Sequence, residues 1–493
     1  MKTDANLLRY QDFISLIRRF DRDLLIQGMS QSCLGWDGNP FGSDGRPKEE
    51  LPWNFAGAAA VAITRGTTGG KQPRKIDLLH IASEFSRIQT PQQLDGSQET
   101  YGLLLRWAYE QWPFNRVTTR DWARCVCLFD TTPFLESYLP EVMRPGWQDE
   151  LLGGSVTDFV TVGGVLWASC NQGNPFPFRW DGEMKEIPEA FGGEERFDSF
   201  VVRNFTTDID TFKVLRRDIV EGGMDSGAQK FLREPFAFNP LLSTPLVRGA
   251  FEDKWLAPCP PTLNLKTSPV GLAYAGSEKW GVRFRNDLGH RFEQYVGRQL
   301  RSNDEMYVRP EVVYGKDQRT IDWFVVTPEV VLLVECKSAM PAQSIREGLV
   351  EHVDSHRRAL AKGIKQLNRT LGLFRARSTV LDFLPNDRPV LSLLVTLGNF
   401  DMVDQPFVQT TLPKPDGLTA VVGVDFIERF VAMDAGERRA LAESAPDFEN
   451  GRNFISVPAW TEGRTAGSNV LLEEAYRQLP MVALATKAGV FDE

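Results

Sequence analysis

The sequence predicts a multidomain α/β protein in which an α-rich (α+β) N-terminal region leads into a mixed sheet flanked by helices. Three observations predict it. A chain of 493 residues holds about three domains at roughly 100–200 residues each. Apolar residues in the first 150 positions recur mainly at helical spacing. Between about 283 and 400 the pattern runs helix, strand, hairpin, helix, strand, and one hairpin strand is almost wholly apolar, as a strand buried on both faces must be.

Composition narrows the function classes. Aromatic residues make up 11% of the chain, which excludes wholesale disorder. A net charge of −9 argues against a protein that coats nucleic acid over its whole surface, but leaves room for a local basic site. None of the six cysteines forms a CxxC pair, so a zinc ribbon is unsupported. Cys125 and Cys127 are expected on one face of a strand, in the core. Sparse cysteines in so long a chain fit a reducing cytoplasm. The charged start, MKTDANLLRYQDF, is unlike a signal peptide. The apolar run Trp53–Ile63 is too short to cross a bilayer. A cytoplasmic protein without a membrane partner is therefore expected.

Four regions are expected: 1–150 α-rich, 151–275 α+β, 276–400 the segment with chemistry, and 401–493 a C-terminal α/β extension. Leu7, Tyr10, Phe13, Ile14, Ile17, Phe20 and Leu24 mark one helix over 5–27 that ends at Gly28. Helices are expected over 53–63 and 76–88. SVTDFVTVGGVLWASC and FDSFVVRNF, between 154 and 205, read as strands. A helical pattern returns at 207–235. The prolines at 258, 260 and 261 suggest a boundary at about 260–280. The N-terminal region is a candidate surface for a protein partner or a second copy.

Residues 286–300 predict a helix with Glu293 beside its apolar stripe. RTIDWFVV and VVLLVECKS predict a hairpin. The second strand ends in Glu335-Cys336-Lys337, and two charges at the end of a buried strand need partners or a metal. A four-residue loop at 327–330 would pair 326 with 331 and so set Asp322 opposite Glu335, on one face and within reach of one cation. A one-residue slip would part them. A capping box at Ser344–Glu347 suggests where the next helix starts. Its apolar stripe is Leu360, Ile364, Leu367, Leu371 and Phe374. Arg358, Lys362, Lys365 and Arg369 gather on the opposite side, with Gln366 on the flank. Residues 283–378 hold 17 Lys/Arg against 12 Asp/Glu, whereas the rest of the chain is acidic. Phosphates want such a patch. Strands follow at 389–397 and at the start of 419–431.

This order, with Asp322 followed by Glu335-Cys336-Lys337, resembles the PD-(D/E)XK nuclease superfamily over about residues 283–400. The resemblance implies a restriction-endonuclease-like fold and hydrolysis of nucleic acid, with DNA the expected substrate and defence against foreign DNA a setting by analogy. It implies Mg²⁺, with Mn²⁺ as substitute, held by Asp322, Glu335 and the Cys336 carbonyl. Lys337 would be the catalytic lysine, Glu293 the acid of the first helix, and Gln366 the glutamine of the following one. Ile321 stands where the family's Pro would be, and Thr370 where some members place Tyr. Two alternatives stay open: a nuclease acting on RNA, and a catalytically silent nucleic-acid-binding or scaffold protein of the same fold. A structural ion network at the strand end is the competing reading of Asp322, Glu335 and Lys337.

Overall fold

The computed structural model describes residues 9–36, 38–41, 48, 51–88, 105–111, 113–116, 119–180, 185–222, 234–316, 318–341, 353–400, 402–403 and 405–487. The N-terminal body begins with α1 (Tyr10–Ile17), α2 (Arg22–Ser32), α3 (Pro52–Arg65) and α4 (Lys75–Ser86). The single helix expected over 5–27 is thus two, and residues 5–8 lie outside the described ones. Asp21 breaks it: its carboxylate caps α2 by accepting the N–H groups of Asp23 and Leu24. Gly28 is no terminator but an internal contact. A Cβ there would come within 2.9 Å of Leu78 on α4.

α5 (Thr119–Val126) continues as a π-helical turn, Cys127–Thr131. Cys125 and Cys127 are core residues as expected, but helical rather than extended. α6 (Val156–Cys170) and α7 (Glu194–Phe205) occupy the two stretches expected as strands. The β-branched run of α6 imitates a strand. It is apolar all round because it is buried, and Ser155 caps it in a reciprocal pair with Asp158. In α7 the buried Phe197, Phe200, Val201 and Phe205 keep helical spacing. By length and composition Trp147–Cys170 could cross a membrane. Here it is interrupted at Gly153–Ser155, and much of it packs in the core.

Strand β1 (Thr206–Asp208) leads into α8 (Ile209–Gly222), and β2 (Leu246–Phe251) with β3 (Lys254–Leu256) completes a small sheet. The proline cluster opens α9 (Pro261–Lys266), followed by α10 (Pro269–Trp280). One hydrophobic core cluster runs from Trp122 through these helices to Val482.

α11 (Val282–Leu300) precedes the main sheet: β4 (Tyr307–Pro310), the small β5–β6 ribbon (Val313–Tyr314, Gln318–Arg319), β7 (Trp323–Val326) and β8 (Val331–Lys337). α12 (Val353–Arg375), β9 (Val390–Thr396), β10 (Thr419–Gly423) and α13 (Val424–Phe430) follow. The capping box at Ser344–Glu347 lies outside the described residues. The sheet is mixed, in the order β10-β9-β8-β7-β4. β4, β7 and β8 are antiparallel, and β8, β9 and β10 parallel. Trp323, Val325, Leu332, Val334 and Cys336 face the core that includes α11; Phe324, Val331 and Leu333 face the one that includes α12. Helices therefore flank both faces, and the apolar β8 is explained by burial on both.

Candidate active site

The hairpin has the expected register. Val326 pairs with Val331 and Trp323 with Val334, across the four residues 327–330. β7 ends at Trp323, so Asp322 lies just past it, at the end of the sheet where β8 runs on alone beside β9. The Cys336 N–H donates to Asp322 Oδ2 at 2.7 Å. N–H and C=O of one strand residue leave the same edge, so the Cys336 carbonyl also points towards Asp322. The Cys336 thiol faces the other way and is buried, which pushes its pKa far up.

Glu335 is 0% exposed. Its Oε1 accepts from the Lys337 ammonium, and its Oε2 is buried without a hydrogen-bond partner among the described residues. Burial, then the neighbouring Asp322 charge, pushes its pKa up to about 8 despite Lys337. Asp322 is raised too, chiefly by burial, with Lys337 and the Cys336 N–H working against the shift. Burial alone would lower Lys337, but Glu335 and Asp322 outweigh it and raise the ammonium above its usual value. Lys337 also donates to Gln366 Oε1 on α12 at 3.2 Å. The expected approach of Gln366 from that helix is therefore present.

Glu293 comes from α11, in the opposite layer, and is half-buried. Burial and then the charge of Asp322 raise it to about 7, and Lys337 pulls the other way. These mutual influences place it at the same end of the sheet. The Trp323 indole N–H donates to the Glu293 carbonyl at 3.0 Å. Gly297 on the same helix makes room, since a Cβ there would sit 2.2 Å from the Trp323 ring. Tryptophan on the strand and glycine on the helix thus lock α11 against β7.

The basic residues of α12 divide. Arg358, Lys362, Lys365 and Arg369 are all exposed. Lys362 lowers the pKa of Asp322 and so borders the site. Arg369 donates to the Arg319 carbonyl at 2.5 Å and ties α12 to the β5–β6 ribbon. Arg358 and Lys365 stand on the same exposed side. Sequence reasoning missed Glu311 and Arg319. They pair at 2.6 Å, and both charges act on Glu293. The signal was the Arg three residues before Asp322, at the start of the hairpin.

Among the described residues, no three His, Cys, Asp or Glu side chains converge as a ready metal cage. Magnesium does not require one: it keeps several waters and takes one or two carboxylates. The donor set here is two carboxylates and a carbonyl, all oxygen. The unpartnered Glu335 Oε2 is an acceptor that burial makes costly unless a cation or proton meets it. The residues present therefore fit that ion. No family model, curated protein or solved structure matches the chain.

Proposed function

We propose that this protein is a metal-dependent nuclease of restriction-endonuclease-like fold that hydrolyses phosphodiester bonds of DNA. The observation that carries the reading is the buried Glu335 Oε2, unpartnered among the described residues, beside Asp322 and Lys337 at the end of the sheet. Asp322, Glu335 and the Cys336 carbonyl would hold Mg²⁺, for which Mn²⁺ would substitute. When bound, the ion neutralises charge growing on the phosphate and lowers the pKa of a bound water. Lys337 remains protonated and fixed between Glu335 and Gln366. Its role is to orient the attacking water and to stabilise the charge of the transition state by hydrogen bonding. Gln366 positions that ammonium. Glu293, near neutrality in pKa, can hold or release a proton at its carboxylate. Lys362, with Arg358, Lys365 and Arg369, offers the backbone phosphates a cationic surface independent of base sequence. Defence against foreign DNA is the setting suggested by analogy alone.

The test incubates the full chain with plasmid, linear and single-stranded DNA and with RNA, in Mg²⁺, in Mn²⁺ and in EDTA. Cleavage of DNA in either metal, absent in EDTA and in Asp322→Ala, is expected. Cleavage of RNA alone would move the substrate to RNA. The pairing of Lys337 with Glu335 also suits a structural ion network. In that case the parent would be inactive, and Lys337→Ala would melt far lower in EDTA. The metal-site reading expects Lys337→Ala to lose cleavage yet still bind Mn²⁺.

A further inference from the structure

Glycine is the poorest helix former after proline, so a glycine inside a helix needs a reason. The two helices that flank the sheet carry four in their interiors: Gly289 and Gly297 on α11, Gly363 and Gly372 on α12. Packing accounts for two of them. A Cβ on Gly297 would sit 2.2 Å from the Trp323 ring, and one on Gly363 would sit 2.5 Å from Leu394. Gly372 is exposed, and a Cβ there would meet nothing. Gly289 fits neither case. It is half-buried, yet among the described residues the one neighbouring atom its Cβ would meet is the Ser338 hydroxyl oxygen, at an ordinary 3.7 Å. Alanine would fit there, and the helix would be the more stable for it.

The position of Gly289 supplies the missing reason. Glu293 lies one turn further along the same face of α11, and the charges of Asp322 and Lys337 act on it. Ser338 directly follows Lys337 at the end of β8. The space between Gly289 and Ser338 is therefore one helical turn from Glu293 and one residue from Lys337. Ser338 is half-buried, and its hydroxyl makes no hydrogen bond among the described residues. Arg285, one turn before Gly289 on the same face, is exposed and is in no ion pair among the described residues. Hydroxyls and arginines are common donors to nucleic-acid phosphates, and glycine lets a backbone be approached closely by a ligand.

We propose that the cleaved strand of the nucleic acid passes against α11 at Gly289, with the Ser338 hydroxyl donating to the phosphate next to the scissile one. Arg285 carries the track one turn further along the helix. This path rests on the nuclease reading and gives its substrate a direction across the site.

The test uses the full chain, with binding of a labelled duplex oligonucleotide measured in Ca²⁺ and its cleavage in Mg²⁺. Gly289→Leu should weaken binding and raise KM at least about tenfold. Gly289→Ala should do so less, and should melt at a higher temperature than the parent. Ser338→Ala should raise KM about tenfold, the loss of one hydrogen bond to a charged group, with kcat close to the parent's. Its salt slope should not change, because no charge is removed; a merely structural Ser338 would leave KM unmoved. If the parent cleaves and a folded Gly289→Leu binds and cleaves as the parent does, the path is overturned and the nuclease reading stands. If the parent binds without cleaving and Gly289→Leu loses binding, the nuclease reading falls and the path is kept as a binding track. No binding by the parent overturns both. Should Gly289→Leu fail to fold, the path is overturned by parental KM in both Gly289→Ala and Ser338→Ala. A lower melting temperature for Gly289→Ala would overturn it too, because the space would then be filled by the protein itself.

Discussion

Asp287, on the helix that also carries Glu293, and Glu335, on β8, are both wholly buried acids, each 0% exposed. Their surroundings are opposite. Asp287 accepts four hydrogen bonds, from the Tyr138 hydroxyl at 2.7 Å and from the N–H groups of Glu141, Val142 and Met143 at 3.0, 2.7 and 2.8 Å. Those donors outweigh burial and hold its pKa below the usual carboxylate value. Among the described residues Glu335 has one ammonium partner and one oxygen with none, and its pKa rises. Burial therefore does not mark function. A complete set of donors marks a structural bolt, here fastening the loop before α6 to α11. The unpartnered oxygen of Glu335 is the one that the proposed metal would meet; Asp198 Oδ1 is also buried without a partner among the described residues, so the missing donor alone does not mark a site.

The largest effect should fall on Glu335. Glu335→Gln keeps the shape but removes a ligand charge, and cleavage should fall about 10³-fold or more, equivalent to about 4 kcal/mol of barrier. A cleavage assay beside a thermal melt checks this. Stability should hold or improve, because an unfavourably buried charge is gone. Lost stability with unaltered cleavage would reverse the contrast with Asp287.

Asp287→Ala should do the opposite. It strands three backbone N–H groups and a tyrosine hydroxyl, and should cost about 3–5 kcal/mol in a urea melt. A loss below about 1 kcal/mol would mean that water replaces the carboxylate and that the bolt is dispensable.

The two acids also differ in how legible they were. Glu335 could be placed from the sequence because a hairpin obeys a period of two, and a four-residue loop then fixes Asp322 opposite it. Nothing local announces Asp287: its donors come from residues about 145 positions earlier, and only folding brings them together. The same reason hid Arg124–Glu428, a pair 304 residues apart that also receives the Tyr295 hydroxyl. α6 and α7 were misread because full burial erases the polar stripe by which helices are recognised. The sheet beyond residue 300 was read well because apolar strands bounded by charge and turn residues are short, local signals.

A smaller effect concerns the exposed face of α12. Lys362 acts on Asp322, whereas Lys365 shows only its exposure. Replacing both with Gln should weaken duplex DNA binding alike for all sequences. It should reduce the slope of log K against log salt by about 0.9 for each phosphate that the variant no longer neutralises. A slope reduced by the equivalent of a single phosphate would assign Lys362 to the site and leave Lys365 as a solvated residue. Weakened binding to one sequence alone would indicate readout of bases.

The finest comparison is the sign of the pH dependence. Asp287 has a folded pKa below its unfolded 3.8. Its ionised form adds stability that is present above 3.8 and is lost as pH falls through the lower folded value. Glu335 runs the other way, from 4.5 unfolded to about 8 folded. Its protonated form adds stability that is complete below 4.5 and is lost as pH rises towards 8. In EDTA, urea melts of the parent and of two neutral variants should separate these contributions. Asp287→Asn should differ most from the parent above about pH 4 and converge with it in acid. Glu335→Gln should gain on the parent as pH climbs from about 5 to 8, because the variant has no carboxyl group to ionise. If both variants shifted the curve in the same direction, the two buried acids would have the same status, and the contrast between Glu335 and Asp287 would be lost.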